Sequence, residues 1–323
     1  MANFREYSTR LASMSGIRRV TATMKMVAAS HLHRAQAELR QPEPFAEILR
    51  GLQPIVYGLN AARHRVCAAP PVQDSHILLV VVTSHRGFCG AFNNSVIREA
   101  RRWANEQTEK RGAQLEALYA GQKGYAALKA EITPYMTPLT VAAHPSSQET
   151  VALSSFTMDA FMAGRYDEVW VVSNRFVNTL TQETKVERLL PFEKGTVDKK
   201  GKLPEEGLEK DLAYRCSTGI LPVFHGRDAH ATRGFARASK VIIEPSDGRM
   251  ITALARQWVH LELYTCLLHS AAGEHAARVM AMENATINLR RMESDLILLR
   301  NRARQAAITN ELTEIVSGAE SLG

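Results

Sequence analysis

Two short segments carry residue types suited to site chemistry. His85-Arg-Gly-Phe-Cys-Gly90 follows an apolar run and precedes a helical stretch, the position where an α/β protein cradles a phosphate on backbone N–H groups. It has neither the GxGxxG spacing nor a Gly-Lys-Ser/Thr triplet, so its glycines read as relief for a tight strand-to-helix turn. Cys89 is a nucleophile by residue type, but no His/Asp framework accompanies it. His225, Asp228 and His230 stand in Gly-rich sequence with no defined ligand geometry. His31 and His33, two apart on a helix, diverge by about 200° and cannot chelate one ion together. The sequence therefore assigns no catalytic residue, no cofactor-binding residue and no metal ligand, and implies no cofactor.

The second segment, Arg300-Asn-Arg-Ala-Arg-Gln-Ala-Ala-Ile-Thr-Asn-Glu-Leu-Thr-Glu314, is of a different kind. Arg304, Gln305, Thr309, Glu311 and Glu314 put hydrogen-bonding groups on a helix whose seam has shrunk to Ala303, Ala306 and Ala307. Small seam residues let two helices approach closely, leaving a narrow tip with a polar exterior. The N-terminal helix carries Arg5, Arg10, Arg18, Arg19, Lys25 and Arg34, a set that suits phosphates or a membrane surface. Lysine-rich runs and interleaved aromatics are absent, so it reads as a solvated face with a few specific carboxylate contacts.

The elements that position these residues are marked by proline. All 12 prolines of the 323-residue chain lie between Pro42 and Pro245, which leaves both ends free of helix breakers. Apolar residues recur at Phe4, Tyr7, Leu11, Met14, then Ile17, Val20, Met24, Val27, then Leu32, Ala35 and Leu39, one helix face with slips. This helix is expected to bend near Pro42 and Pro44 and resume to about Ala62. From Ser246 a second helical pattern runs to about Val316. Its seam Met282, Ala285, Leu289, Met292, Leu296, Leu299, Ala303, Ala306 alternates steps of three and four, the signature of a coiled coil. A helix of ~70 residues would be on the order of 100 Å long and cannot fold into a small domain. Its partner within the chain is the N-terminal helix, paired antiparallel as a shaft.

Between the ends the period changes. His76 to Ser84, Gln114 to Gly121 and Tyr166 to Asn174 read as strands, and Gly124 to Glu131 and Gln148 to Gly164 as helices, an alternation that predicts a mostly parallel sheet. Asn178 to Pro191 reads as an exposed antiparallel strand. The expected fold is α/β plus a long antiparallel coiled coil, the N- and C-terminal helices pairing as a shaft around a middle, Rossmann-like α/β domain. The expected divisions are a shaft helix at 1–62, the α/β domain at 75–192, an irregular insertion at 193–242 and a shaft helix at 246–323.

Composition narrows the setting. Forty Lys+Arg against 33 Asp+Glu give +7, and the excess is local: residues 1–40 hold seven bases and two acids, and no lysine follows Lys240. The four cysteines have no CxxC spacing and the N-terminus has no apolar signal core, which fits a reducing compartment. The longest strictly apolar run, Ile77 to Val82, is far below the ~18 residues of a membrane span, so no direct span is expected.

VTATMKMVAASHLHRAQ (Val20 to Gln36), TSHRGFCGAFN (Thr83 to Asn93), VVSNRFVNTL (Val171 to Leu180), EHAARVMAMENAT (Glu274 to Thr286) and NRARQAAITNELTEIVSGAESL (Asn301 to Leu322) closely resemble the gamma subunit of F-type ATP synthase. The resemblance implies a central rotor shaft inside the ring of alpha and beta subunits. It puts the α/β domain at the foot, near the epsilon subunit and the membrane rotor ring of c subunits, peripheral to the cytoplasmic face of a bacterial inner membrane. It implies no nucleic-acid partner and no catalytic site of the chain's own. By motif position, Arg304 and Gln305 would form a catch on a catalytic beta subunit, with Thr309, Glu311 and Glu314 in the neighbouring polar track. Met24 and Lys25 would face an acidic loop of beta, with Arg278 packing near that segment.

Three departures stand out. His85 replaces the family's usual Asp, Arg300 its usual Tyr, and Cys216 to Lys240 looks like an insertion before Ile243-Glu244-Pro245. Plant-type gamma subunits carry a two-cysteine redox switch in this region; only Cys216 is present here, so no thiol regulation is expected. Two rival readings make different predictions. A nucleotide-using enzyme with a coiled-coil arm would bind nucleotide as an isolated chain, and a nucleic-acid scaffold would bind duplex DNA with steep salt dependence.

Overall fold

The computed structural model describes residues 2–49, 64–192 and 246–320. Two helices dominate: α1 (Ala2–Glu38) and a 74-residue helix, α5 (Asp247–Glu320), about 110 Å long at 1.5 Å per residue. No proline follows Pro245, and Asp247 in the first turn complements the helix dipole, so nothing local ends α5 early. α1 stops at Glu38, ahead of the turn leading to Pro42, and residues 43–49 are helical again. The expected continuation to Ala62 and the expected insertion at 193–242, with Cys216, His225 and His230, lie outside the described residues.

Between the long helices lies a five-stranded sheet in the order β3-β2-β1-β4-β5: β1 (His76–Val82), β2 (Gln114–Ala120), β3 (Thr133–Pro134), β4 (Glu168–Phe176) and β5 (Gln182–Leu190). β1, β2, β3 and β4 run parallel, and β5 pairs antiparallel with β4. α2 (Phe92–Arg111), α3 (Gln122–Leu128) and α4 (Ser147–Met162) complete the crossovers. α4 opens on a capping box in which Ser146 Oγ accepts from the Glu149 N–H, so the helix starts one residue before the expected Gln148. β3, only two residues long, has no sequence pattern of its own and was absent from the expected set.

Period-2 alternation along β1 divides the core. Leu78, Val80 and Val82 face α4 and the lower part of α5, whereas Ile77, Leu79 and Val81 face α2. Both sheet faces are covered, which is why β1 reads as unbroken aliphatic sequence rather than as an alternating strand. On the first face Ile251, Ala255, Val259, Leu263 and Leu267 bind the base of α5 to the domain. The shaft is therefore anchored in the domain core rather than tethered to it.

The seam of the shaft differs from the expected one. Among the half-buried or buried positions of α1, Phe4, Tyr7, Leu11, Met14, Arg18, Thr21, Lys25, Ala28, Leu32 and Ala35 form an unbroken alternation of three and four, with Ser8, Ser15, Met24 and His31 half-buried beside it. Ile17, Val20 and Val27, expected in the seam, are more than half exposed. In α5, Met282, Leu289, Leu296 and Ala303 hold their expected places. The intervening seam positions are Thr286, Glu293, Arg300 and Ala307; of the expected ones Ala285 is half-buried beside Thr286, whereas Met292, Leu299 and Ala306 are exposed. Hydrophobicity alone points to the apolar neighbours, but the middle of this seam is polar. Thr21 Oγ1 lies 3.2 Å from Thr286 Oγ1, Arg18 Nε donates to Glu293 Oε1 at 3.2 Å, and Lys25 pairs with Glu283. Such pairs add little stability when part-exposed, but they fix the antiparallel register.

His269, on α5, is half-buried beside Arg175 and Phe176, and its buried Nδ1 has no hydrogen-bond partner among the described residues. Burial, reinforced by the Arg175 charge, pushes this imidazole down to about 4. Between pH about 4 and the ordinary 6.5 the unfolded chain thus binds the extra proton, and stability is lost as pH falls through that window. Urea midpoints should drop from pH 7 to pH 5. The His269→Leu variant should show a shallower drop; an equal drop would remove His269 as the cause.

Candidate functional site

The tip is built from α5 alone, beyond the first described residues of α1. Carried on from the Arg18–Glu293 and Lys25–Glu283 pairs, the antiparallel register brings the start of α1 opposite about residues 306 to 309. Beyond Ala307 every described side chain of α5, Ile308 to Ser317, is exposed. Arg304 and Gln305 are exposed beside the first turn of α1, Thr309, Glu311 and Glu314 are exposed on the single-helix end beyond it, and Thr309 Oγ1 donates to the Gln305 carbonyl at 3.0 Å. Apolar side chains accompany them: Ile308, Leu312, Ile315 and Val316 are each at least half exposed. A helix end polar and apolar all round, with no partner among the described residues, is a surface suited to burial against another protein.

The other three positions singled out by resemblance are engaged within the chain. Met24 and Lys25 are half-buried in the seam, and the Lys25 ammonium is paired with Glu283. Arg278 pairs with Glu274, donates from Nη2 to the Gly87 carbonyl at 3.2 Å, and has Nη1 3.4 Å from His275 Nδ1. It ties α5 to the His85–Gly90 loop. That loop turns on Phe88 and Gly90, both at positive φ, and is braced by Asn93, whose Oδ1 accepts from the Ser84 N–H at 2.9 Å. Asn93 Nδ2 donates to Cys89 Sγ, and burial pushes the Cys89 thiol up, away from the thiolate form. His85 is exposed, so no inward contact takes the place of a carboxylate there.

One cluster escaped the sequence reading. His31 does not meet His33, which is exposed, but it meets His144 from the loop before α4 and His275 from α5. Their ligand nitrogens all lie within 4.8 Å of one another. Burial, helped by the charges of His144, Arg278 and Arg34, lowers the His31 pKa, and burial pushes His275 down to about 4. Histidines so far apart in sequence form no motif, and only the packing of α1 against α5 brings them together.

The family model described as ATP synthase matches residues 3–322. The chain is 31% identical over 323 residues to the ATP synthase gamma chain of Trichlorobacter lovleyi, covering 100% of this chain and 99% of that one. The chain belongs to the ATP synthase gamma-chain family. The gamma chain of Bdellovibrio bacteriovorus is also 31% identical, over 325 residues, with 100% and 99% covered. Among solved structures, a chain of the Euglena gracilis mitochondrial ATP synthase in rotational state 3 superposes with a TM-score of 0.59 at 17% identity, covering 99% of this chain and 95% of that one. A chain of the Tetrahymena thermophila mitochondrial ATP synthase central stalk and c-ring superposes with a TM-score of 0.54 at 22% identity, covering 82% and 99%. These likenesses support the sheet with two long terminal helices as the fold of the family. Among the described residues no helix is long and apolar enough to cross a membrane.

Proposed function

We propose that the chain is the central-stalk rotor subunit of an F-type ATP synthase, coupling transmembrane proton flow to ATP synthesis or hydrolysis in a ring of alpha and beta subunits. The observation that carries this reading is a helix anchored in a domain core at one end and, at the other, extended past its partner helix with polar and apolar residues exposed. A stiff, asymmetric rod contacts each of three equivalent catalytic subunits differently. Contact that favours one conformation of a subunit shifts its nucleotide affinity by the same free energy, so torque becomes differential binding. In this reading the chain binds no nucleotide and has no catalytic site. Its foot rests on the epsilon subunit and the ring of c subunits, and the complex lies at the cytoplasmic face of a bacterial inner membrane. Arg304 and Gln305 form the catch on beta, and Thr309, Glu311 and Glu314 the adjoining track. Met24, Lys25 and Arg278 stiffen the coupling segment through the contacts they make within the shaft.

The test is ATP hydrolysis and single-molecule rotation by an alpha/beta complex assembled with and without the chain. Cooperative turnover and rotation should appear only with it; equal behaviour without it would overturn the proposal. Arg304→Ala with Gln305→Ala removes two exposed hydrogen-bonding groups at the catch. With assembly intact, turnover or torque should fall by about tenfold, the equivalent of 1.4 kcal/mol. An unchanged rate in a fully assembled complex would remove these two residues from the role.

A further inference from the structure

We propose that His31, His144 and His275 form a binding site for one divalent transition-metal ion of the zinc class, fastening α1, the loop before α4 and α5 together at the base of the shaft. The three imidazoles come from three separate elements. His31 Nδ1 lies 2.7 Å from His144 Nε2, and the His31 ring stacks on His275 with centroids 5.1 Å apart. Zinc held by imidazoles at about 2.0–2.1 Å in tetrahedral geometry sets its ligand nitrogens roughly 3.3–3.5 Å apart. The nitrogens here are separated by between 2.7 Å and 4.8 Å, so ring rotations moving each by under about 1 Å would produce that spacing.

The outer contacts set which nitrogen of His144 and His275 carries the proton. His144 Nδ1 lies 3.3 Å from Glu38 Oε2, and donation there leaves Nε2 as the acceptor nitrogen facing His31. His275 Nε2 lies 3.1 Å from the Ala143 carbonyl, which must be the acceptor, so Nδ1 is left unprotonated, with Arg278 Nη1 3.4 Å away. Carboxylate and carbonyl partners on the far nitrogen are what orient metal-binding histidines. In the ion-free form His31 Nδ1 donates to His144 Nε2; in the ion-bound form His31 takes the other tautomer, its proton on Nε2, and both nitrogens then coordinate. His31 and His144 are each only half-buried, which leaves water access for a fourth ligand.

Two cations face the cluster, Arg278 at His275 Nδ1 and Arg34 on α1. Arg278 is paired with Glu274, and Arg34 Nε donates to Glu38 Oε1 at 2.9 Å, so two carboxylates offset the two guanidiniums. The Arg278–His275 contact is the one that an ion must displace, and Arg278 retains Glu274 and the Gly87 carbonyl when it does.

The experiment uses the purified full chain, without an added histidine tag and stripped with chelator, titrated with Zn2+ by calorimetry and with Co2+ by absorption at about pH 7. The expected result is one ion per chain at micromolar affinity or tighter, with a Zn2+-dependent rise in Tm. His31→Ala and His144→Ala should each weaken binding at least tenfold and abolish the rise, and His33→Ala should leave both intact. Circular dichroism checks the fold. If His31→Ala fails to fold, His144→Gln, a loop substitution that keeps a hydrogen-bonding group, decides the matter. Absence of binding by the wild-type chain, or equal binding by the His144 variants, would overturn the site and leave the cluster as a stack of hydrogen-bonded imidazoles.

Discussion

Gly121→Ala should leave the α/β domain unable to assemble. Gly121 joins β2 to α3 at φ 116°, a conformation rarely adopted by L side chains, and a Cβ there would stand 2.1 Å from the Thr83 carbonyl oxygen and 2.7 Å from its carbon. Both atoms are backbone, and neither strand end can retreat. The Thr83 N–H donates to the Ala120 carbonyl at 2.8 Å, the Gly121 N–H to the Leu139 carbonyl at 3.0 Å, and the Gly124 N–H to Thr83 Oγ1 at 2.9 Å. Relieving the overlap breaks this set in addition to the backbone strain of about 1–3 kcal/mol. The total should exceed about 4–5 kcal/mol, a large share of the roughly 5–15 kcal/mol that holds a domain together. Gly16→Ala is the control: it lies within α1 with nothing within 4 Å of its Cβ. It should stabilise by about 0.5–1 kcal/mol through helix propensity. Far-UV circular dichroism and urea unfolding read both, and a Gly121→Ala midpoint close to wild type would refute the argument.

The second large effect is expected at Arg111. Glu168, at the start of β4, is 0% exposed, and its carboxylate meets Arg111 Nη1 at 3.0 Å, Arg188 Nη1 at 4.0 Å and the Trp170 indole N–H at 2.9 Å. The Arg111 contact is an ion pair rather than an aligned hydrogen bond. A buried ion pair contributes little net stability, because desolvation offsets the Coulomb gain, but removing one partner strands the other charge. Arg111→Ala should destabilise by about 3 kcal/mol, the low end of the usual range because Arg188 and Trp170 remain. Arg111→Ala combined with Glu168→Gln should lose less than the single variants summed, because the stranded charge is gone. Strict additivity in urea unfolding would show that the pair is not coupled.

The sheet was legible in the sequence wherever a strand is buried on both faces. Ile77 to Val82 could be read without a structure because nothing polar survives between α2 and α4. β3 was not legible, since two residues carry no period. The coiled coil was legible as a pairing and not as a seam. Hydrophobicity pointed to Ile17, Val20 and Val27, whereas the contact face runs through Arg18, Thr21 and Lys25, whose partners are Glu293, Thr286 and Glu283. A polar residue announces burial only through its partner, and that partner lies more than 250 positions away in the chain.

Residue order by itself determined the family, the two long helices and the residues of the tip, because these depend on local signals: the absence of proline, a repeating step of three and four, and an uninterrupted motif from Asn301 to Leu322. Tertiary structure alone decided which side chains are spent within the chain and which are free for partners. Lys25 and Arg278 are bases of the same kind as Arg304 in the sequence, yet the first two are paired with Glu283 and Glu274, and Arg304 is exposed. The same holds for His31, His144 and His275, which become one cluster only when α1 packs against α5. Periodicity reports which face of a helix is buried, but only the packed partner determines what a charge or an imidazole meets there.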